Sequence, residues 1–265
     1  MKDSHPPQGT HGEEGPPDDL VQPTPIDLLR LIQIERAVEN DFWLAARSQP
    51  DVKPCMQLVD AALQLLSDLF FTADTSDDER HRRVHMVLRM YNSIGAALLL
   101  ARTGYFLQSF IAQRDLMEHA FLLDYFADRP GEFAVWCTCS PSERKKRFSP
   151  YNIRKALNER DGFAPRKRTW RDKLYRLFSQ YAVHLDPQHW RFAATQEHLL
   201  IGPFLDPKIL RNCLFDLARL AAMATFSASA FLSGPSKSLT AKAAFHDIAK
   251  EWLATYMPGW RFRDE

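Results

Sequence analysis

At 265 residues and 30.6 kDa the chain is long enough for one large core or two small ones, and 45% hydrophobic with 25% charged residues is an ordinary globular composition. Its 10 glycines are few and follow no repeat period, which favours helices over strands and excludes a repeat array. The formal net charge is only +1, and the longest apolar run, Leu220 to Leu232, is too short for the roughly twenty residues of a membrane span and is broken by Thr225, Ser227 and Ser229.

Residues 1–23 carry Pro6, Pro7, Pro16, Pro17 and Pro23, and set Lys2 against Asp3, Glu13, Glu14, Asp18 and Asp19. Such a stretch buries too little apolar surface to offset its ordering entropy, so a disordered acidic, proline-rich tail is expected. It has no apolar core, so no secretory signal is expected either. A cytoplasmic setting would keep Cys55, Cys137, Cys139 and Cys213 as reduced thiols. Cys137-Thr-Cys139 lacks zinc-site spacing, and its cysteines read as small core-lining residues.

Residues 24–260 read as one helical domain. Thr24 caps a first helix, Pro25 suits its first turn and Asp27 complements its dipole; the periodicity runs to about Arg47. A second helix, from about Pro54 to Phe71, presents Leu58, Ala62, Leu65, Leu66 and Leu69 on one face. Ser76-Asp77-Asp78-Glu79 is a capping box for a third helix reaching Arg102. Gly104 separates it from a fourth, about Tyr105 to Ala127, ending before Arg129-Pro130. A short helix over about Glu132 to Cys139, a basic connector and a helix from about Lys167 to His184 come next, the last with Trp170, Leu174, Leu177, Phe178 and Tyr181 as its core face. Asp186 to Leu205 is irregular, with a small hairpin over Trp190 to Ile201. Asp206-Pro207 opens a long buried helix, and the last runs from Leu239 to Tyr256 with Phe245, Ile248 and Trp252 as its stripe. The expectation is all-α: a single bundle-like domain of six or seven helices behind a disordered N-terminal tail.

The fourth helix is apolar nearly all round, yet Arg114 and Glu118 stand one turn apart within its stripe of Leu107, Phe110, Ile111, Met117, Phe121 and Tyr125. Two charges there must satisfy each other or face a pocket or subunit interface. Arg114-x-x-x-Glu118, followed by Tyr175-x-x-x-Ser179 and then His184, resembles a family of uncharacterised bacterial helical proteins with an Arg-x-x-x-Glu helix and a later Ser-x-x-x-x-His element. That family is similar to the HEPN superfamily, helical domains that include dimeric, metal-independent ribonucleases of toxin–antitoxin and antiphage systems. The resemblance covers about residues 76–205.

The resemblance implies a cofactor-free, metal-independent site, with arginine and histidine acting on the scissile phosphate and the 2′-hydroxyl. Arg114-Asp115-Leu116-Met117-Glu118-His119 fits the family's Arg-polar-x(3–5)-His string, as does Arg80 to His85. The catalytic candidates are therefore Arg114, His119 and His184, with Glu118 orienting Arg114. Residues five apart on a regular helix point about 140° away from each other, so convergence of Arg114 and His119 needs a distorted helix or a homodimer that supplies one of them. The ordinary alternatives are an internal Arg114–Glu118 ion pair, a packed His119 and a His184 that caps its helix. Asp77, His81 and His85 are four apart, but Arg80, Arg82 and Arg83 crowd them, so no metal site is expected.

Residues 143–176 hold thirteen Lys or Arg against Glu143, Glu159, Asp161 and Asp172, with Phe148, Tyr151, Phe163, Trp170 and Tyr175 interleaved. Neutralising phosphates while stacking bases on exposed rings is how single strands are commonly held. Arg144, Lys145, Lys146, Arg147, Arg166, Lys167, Arg168 and Arg171 are the candidate nucleic-acid contacts. The same charge fits an acidic protein partner, or a solvated face balanced by Asp74 to Glu79 or by the tail. The expectation is an RNA- or polyanion-binding helical protein, possibly a ribonuclease of bacterial stress or defence, against the alternative of a non-catalytic interaction or regulatory module; no membrane contact is expected.

Overall fold

The structure, a computed structural model, describes residues 27–164, 168–182, 203–232 and 239–258. Among these are ten α-helices: α1 (Leu28–Ser48), α2 (Val52–Thr72), α3 (Asp78–Arg102), α4 (Phe106–Ala127), α5 (Pro130–Thr138), α6 (Pro141–Arg147), α7 (Pro150–Arg160), α8 (Trp170–Ala182), α9 (Pro207–Phe231) and α10 (Leu239–Tyr256). The tail, Thr24, Pro25, Arg166, Lys167, His184 and the hairpin over Trp190 to Ile201 lie outside the described residues.

The all-α expectation holds, but six or seven helices is too few. The connector after α5 is itself helical, and its two helices start by one device. Ser140 precedes Pro141 and accepts from the Glu143 N–H at 3.2 Å; Ser149 precedes Pro150 and accepts from the Asn152 N–H at 3.3 Å. A serine cap followed by proline at the first helical position is a start signal, obscured here by the run of basic residues. Two caps also differ in place. Asp27 itself caps α1, accepting from the Arg30 N–H at 2.8 Å, and Asp77 rather than Ser76 caps α3, accepting from the Arg80 N–H at 2.8 Å.

α4 is the central helix, packed on α9, α3, α8 and α7. α9 lies against α4, α2 and α3, and its buried Ala218, Ala221, Ala222, Ala224 and Ala228 let the backbones approach closely. By length and composition both α3 and α9 could cross a membrane; in this bundle 61% of that stretch is buried in α9 and 39% in α3. Leu58, Ala62, Leu65, Leu66 and Leu69 of α2 are all buried, as their spacing predicts. Three expected core residues are not: Ile111, Leu177 and Ile248 are exposed.

Where α4 faces α9 the core is polar and neutral. The Ser109 hydroxyl donates to the Ala97 carbonyl at 2.7 Å, and the Gln113 amide reaches the Cys213 carbonyl at 3.2 Å. Both side chains are fully buried. Before α4, α3 ends in a Schellman turn: Tyr105 N–H bonds the Leu100 carbonyl at 2.8 Å and Gly104 N–H the Ala101 carbonyl at 3.2 Å. Gly104 sits at φ 84°, and a Cβ there would fall 2.6 Å from the Phe204 carbonyl oxygen. Only glycine lets the chain entering α9 dock on this turn.

Candidate functional site

The later part of α4 runs past α7 and α8, and charged side chains fill that seam. The first group gathers around Arg160 at the end of α7. Its guanidinium bonds Asp124 at 2.7 and 3.1 Å, Asp128 at 2.8 Å and Asp161 at 2.7 Å. Arg171, only 4% exposed, donates to Asp161 at 2.6 Å and to Asn158 at 3.3 Å. Burial would lower the pKa of Arg160, but Asp124, Asp161 and Asp128 raise it above its ordinary value. Burial also opposes ionisation of Asp161, yet Arg160 and Arg171 hold its carboxyl below the usual range. Gly162, at φ 72°, ends α7 so that Asp161 can turn back onto both arginines.

The second group centres on Tyr175 of α8. The Arg154 guanidinium carbon lies 3.6 Å from the ring centroid and that of Arg114 lies 5.3 Å away. Arg154 is held by the Pro150 carbonyl at 3.0 Å and by Asp172 at 3.4 Å. Burial opposes ionisation of Asp172, but bonds from Thr169 and Arg154 hold its pKa down. Arg114 donates to the Tyr175 hydroxyl at 3.2 Å and approaches Glu118 to 3.0 Å. That approach is an ion pair without hydrogen-bond alignment. Arg114 Nε, Glu118 Oε1 and the Ser179 hydroxyl are buried with no hydrogen-bond partner.

The third group ties α4 to α3. Asp115 accepts from Arg89 at 2.8 Å and from the Ser93 hydroxyl at 3.0 Å. Burial opposes its ionisation, but His119, Arg89 and Ser93 hold its pKa below the usual range. His119 Nδ1 lies 2.8 Å from the Asp115 carbonyl oxygen, which fixes the proton on Nδ1 and leaves Nε2 as a lone-pair acceptor in the neutral ring.

α4 is an uninterrupted α-helix through these positions. Arg114 therefore turns to α8 while His119 bonds back to the Asp115 carbonyl on α4 itself, and the two do not converge, as their spacing requires. Glu118 and His119 instead share a cleft of about 190 Å³ with Phe121 and Leu122 of α4 and with Phe148, Pro150 and Ile153 from the α6–α7 junction. In the other Arg-polar-x(3–5)-His string, Arg80 pairs with Asp74 and Asp77, and His81 and His85 bond each other at 2.9 Å.

The basic segment divides in two. Arg144 caps the end of α5 through the Trp136 carbonyl at 2.9 Å and the Cys139 carbonyl at 3.1 Å, and Arg147 pairs with Glu132 at 2.5 Å. Arg154, Lys155, Arg160 and Arg171 have the acidic partners Asp172, Glu159, Asp124 and Asp161. Lys145, Lys146, Arg168, Lys173 and Arg176 are exposed and make no ion pair among the described residues. The balancing acids from outside the segment are Asp124, Asp128 and Glu132, whereas Asp74, Asp77 and Glu79 pair with Arg80 and Arg83. Asp124, Asp128, Arg154 and Arg160 are not marked by any motif; the signal that reaches them is the apolar pair Ile153 and Leu157 at helical spacing, which marks α7 and hence the side its arginines face.

No family model, no curated protein and no solved structure matches the chain.

Proposed function

We propose that the protein binds single-stranded RNA through the cations that α6 and α8 leave exposed. The observation that carries this reading is the division of the basic segment. Lys145 and Lys146 on α6, Arg168 just before α8, and Lys173 and Arg176 on α8 have no acidic partner among the described residues. Exposed cations exchange condensed counterions for phosphates, and the exposed Tyr151 ring at the start of α7, the helix after α6, offers a stacking surface.

Cleavage is a second reading, favoured by one observation: Glu118 and His119 both line the cleft, which puts a carboxylate and an imidazole on one cavity. In that reading Arg114 keeps Glu118 in place from its seat on Tyr175.

The test is retention of a labelled single-stranded RNA on the folded protein across a salt series. Five phosphate contacts predict that the logarithm of the binding constant falls with a slope of about −3.5 against the logarithm of salt concentration. Lys145→Glu/Lys146→Glu should weaken retention at least tenfold and flatten the slope by ~1.4. Absence of RNA retention at low salt overturns the reading. Cleavage is read in the same tubes with EDTA present: products from wild type but not from folded His119→Ala establish the second reading, and intact RNA rejects it.

A further inference from the structure

Near its start α3 carries His81 and His85 one turn apart, both exposed, with their Nε2 atoms 2.9 Å and their ring centres 4.6 Å from each other. A linear N–H···N bond along both ring axes would hold the centres about 5.2 Å apart, so the two axes converge to one side of the pair. One ion about 2.0 Å from each nitrogen, with an N–metal–N angle of about 90°, reproduces both separations. A tetrahedral angle would need the nitrogens about 3.3 Å apart. The two rings therefore present adjacent corners of a square-planar or tetragonal sphere.

Arg80, Arg82 and Arg83 were expected to repel a dication here, but two of the three are engaged elsewhere. Arg80 pairs with Asp74 and Asp77. Arg83 donates to Glu79 at 2.7 Å and to the Phe231 carbonyl at 3.3 Å, with its guanidinium over the Phe133 and Phe231 rings. Over residues 74–85 the acids Asp74, Asp77, Asp78 and Glu79 outnumber the three arginines. Asp78 lies within about 60° of both histidines around the helix and makes no ion pair among the described residues, so it keeps a negative charge on their face.

We infer that His81 and His85 together bind one copper(II) ion through their Nε2 atoms. Among the described residues no third His, Cys, Asp or Glu joins the pair as a ligand, so water fills the remaining positions and the ion is exchangeable. A closed zinc site takes four protein ligands, and magnesium takes oxygen ligands, so neither fits a bare pair of imidazoles. Imidazoles at a right angle suit copper(II) and nickel(II), and copper(II) stands highest in the affinity order of the divalent first-row ions. The bound ion clips two successive turns of α3 together and stabilises the start of that helix. It uses none of the exposed cations of α6 and α8, so it goes beyond the RNA reading and stands or falls without it.

The experiment titrates the full chain with copper(II), nickel(II) and zinc(II) chlorides at neutral pH by calorimetry, and records the electron paramagnetic resonance spectrum with copper below one equivalent. Copper should bind at least tenfold more tightly than nickel or zinc, in a tetragonal site whose spectrum shows two imidazole nitrogens. His81→Ala and His85→Ala should each weaken that binding at least tenfold, because each removes half of the chelate. Copper should raise the thermal midpoint of the wild type and of neither variant. Both side chains are exposed, and circular dichroism without metal checks that the variants fold. His5→Ala, which tests for capture by the start of the chain, should leave the affinity unchanged. Equal affinity in wild type and both α3 variants, a spectrum with a single imidazole nitrogen, loss of the site in His5→Ala, or zinc binding as tight as copper overturns the inference.

Discussion

α4 presents two clusters of charge to α7 and α8, and they differ in how completely they are closed. Around Arg160 the guanidinium reaches Asp124, Asp128 and Asp161, and Asp161 is shared with Arg171. Around Tyr175, the Arg154 guanidinium covers the ring, but Arg114 Nε and Glu118 Oε1 are buried without hydrogen bonds. Arg114 is 19% exposed and Glu118 34%, so neither is sealed in the core. The difference separates two uses of buried charge. A guanidinium ringed by three carboxylates fixes the angle between helices, whereas an ion pair with a buried unbonded atom on each partner holds its helices more weakly.

Four measurements would break or sharpen that contrast. The largest effect belongs to the closed cluster. Arg160→Ala leaves Asp124, Asp128 and Asp161 facing one another without their main counter-charge and should cost about 3–5 kcal/mol in denaturant unfolding. A loss below about 1 kcal/mol would mean the cluster is not closed in solution. Next comes acid sensitivity. The folded pKa of Asp161 is depressed, so its stabilising contribution is present above the unfolded value near 4 and is lost as pH falls through the folded value. Asp161→Asn should cost about 1–2 kcal/mol at neutral pH and flatten the acid limb of the stability profile below about pH 4. An unchanged acid limb would remove Asp161 from the account.

The open cluster should respond less. Arg114→Met/Glu118→Leu replaces a poorly bonded pair by apolar groups of similar reach, and stability should change by no more than about 1 kcal/mol in either direction. A loss as large as that of Arg160→Ala would make the two clusters equivalent. The smallest effect is at the exposed cations: Lys145→Glu/Lys146→Glu should leave stability within about 0.5 kcal/mol while RNA retention falls. A clear thermal destabilisation there would place those lysines in the scaffold.

The long helices were legible in two ways: α2 and α10 carry enough periodic residues to mark a buried face, and α3 and α9 open on start signals at Asp77 and at Asp206-Pro207. α6 and α7 were not, since a seven-residue helix has almost no periodicity and the charge of Arg144 to Arg147 reads as a solvated connector. Arg114 and Glu118 stood out because charge inside an apolar stripe is conspicuous. Their contact with Tyr175, and the fact that His119 rather than Arg114 enters the cleft, depend on where α7 and α8 pack. The partners of Arg160 lie 36 and 32 residues earlier on another helix, and no local spacing encodes such a pairing.

The neutral contact between Gln113 and the Cys213 carbonyl joins residues 100 apart in the chain. During synthesis at roughly 5–20 residues per second, α4 is finished about 5–20 s before the segment that accepts its amide. For that interval α4 has α3 beside it but no α9, and its Gln113 must keep water as a partner. The newborn chain therefore exposes the α9-facing sides of both α2 and α4 to aggregation and to chaperones until α9 arrives.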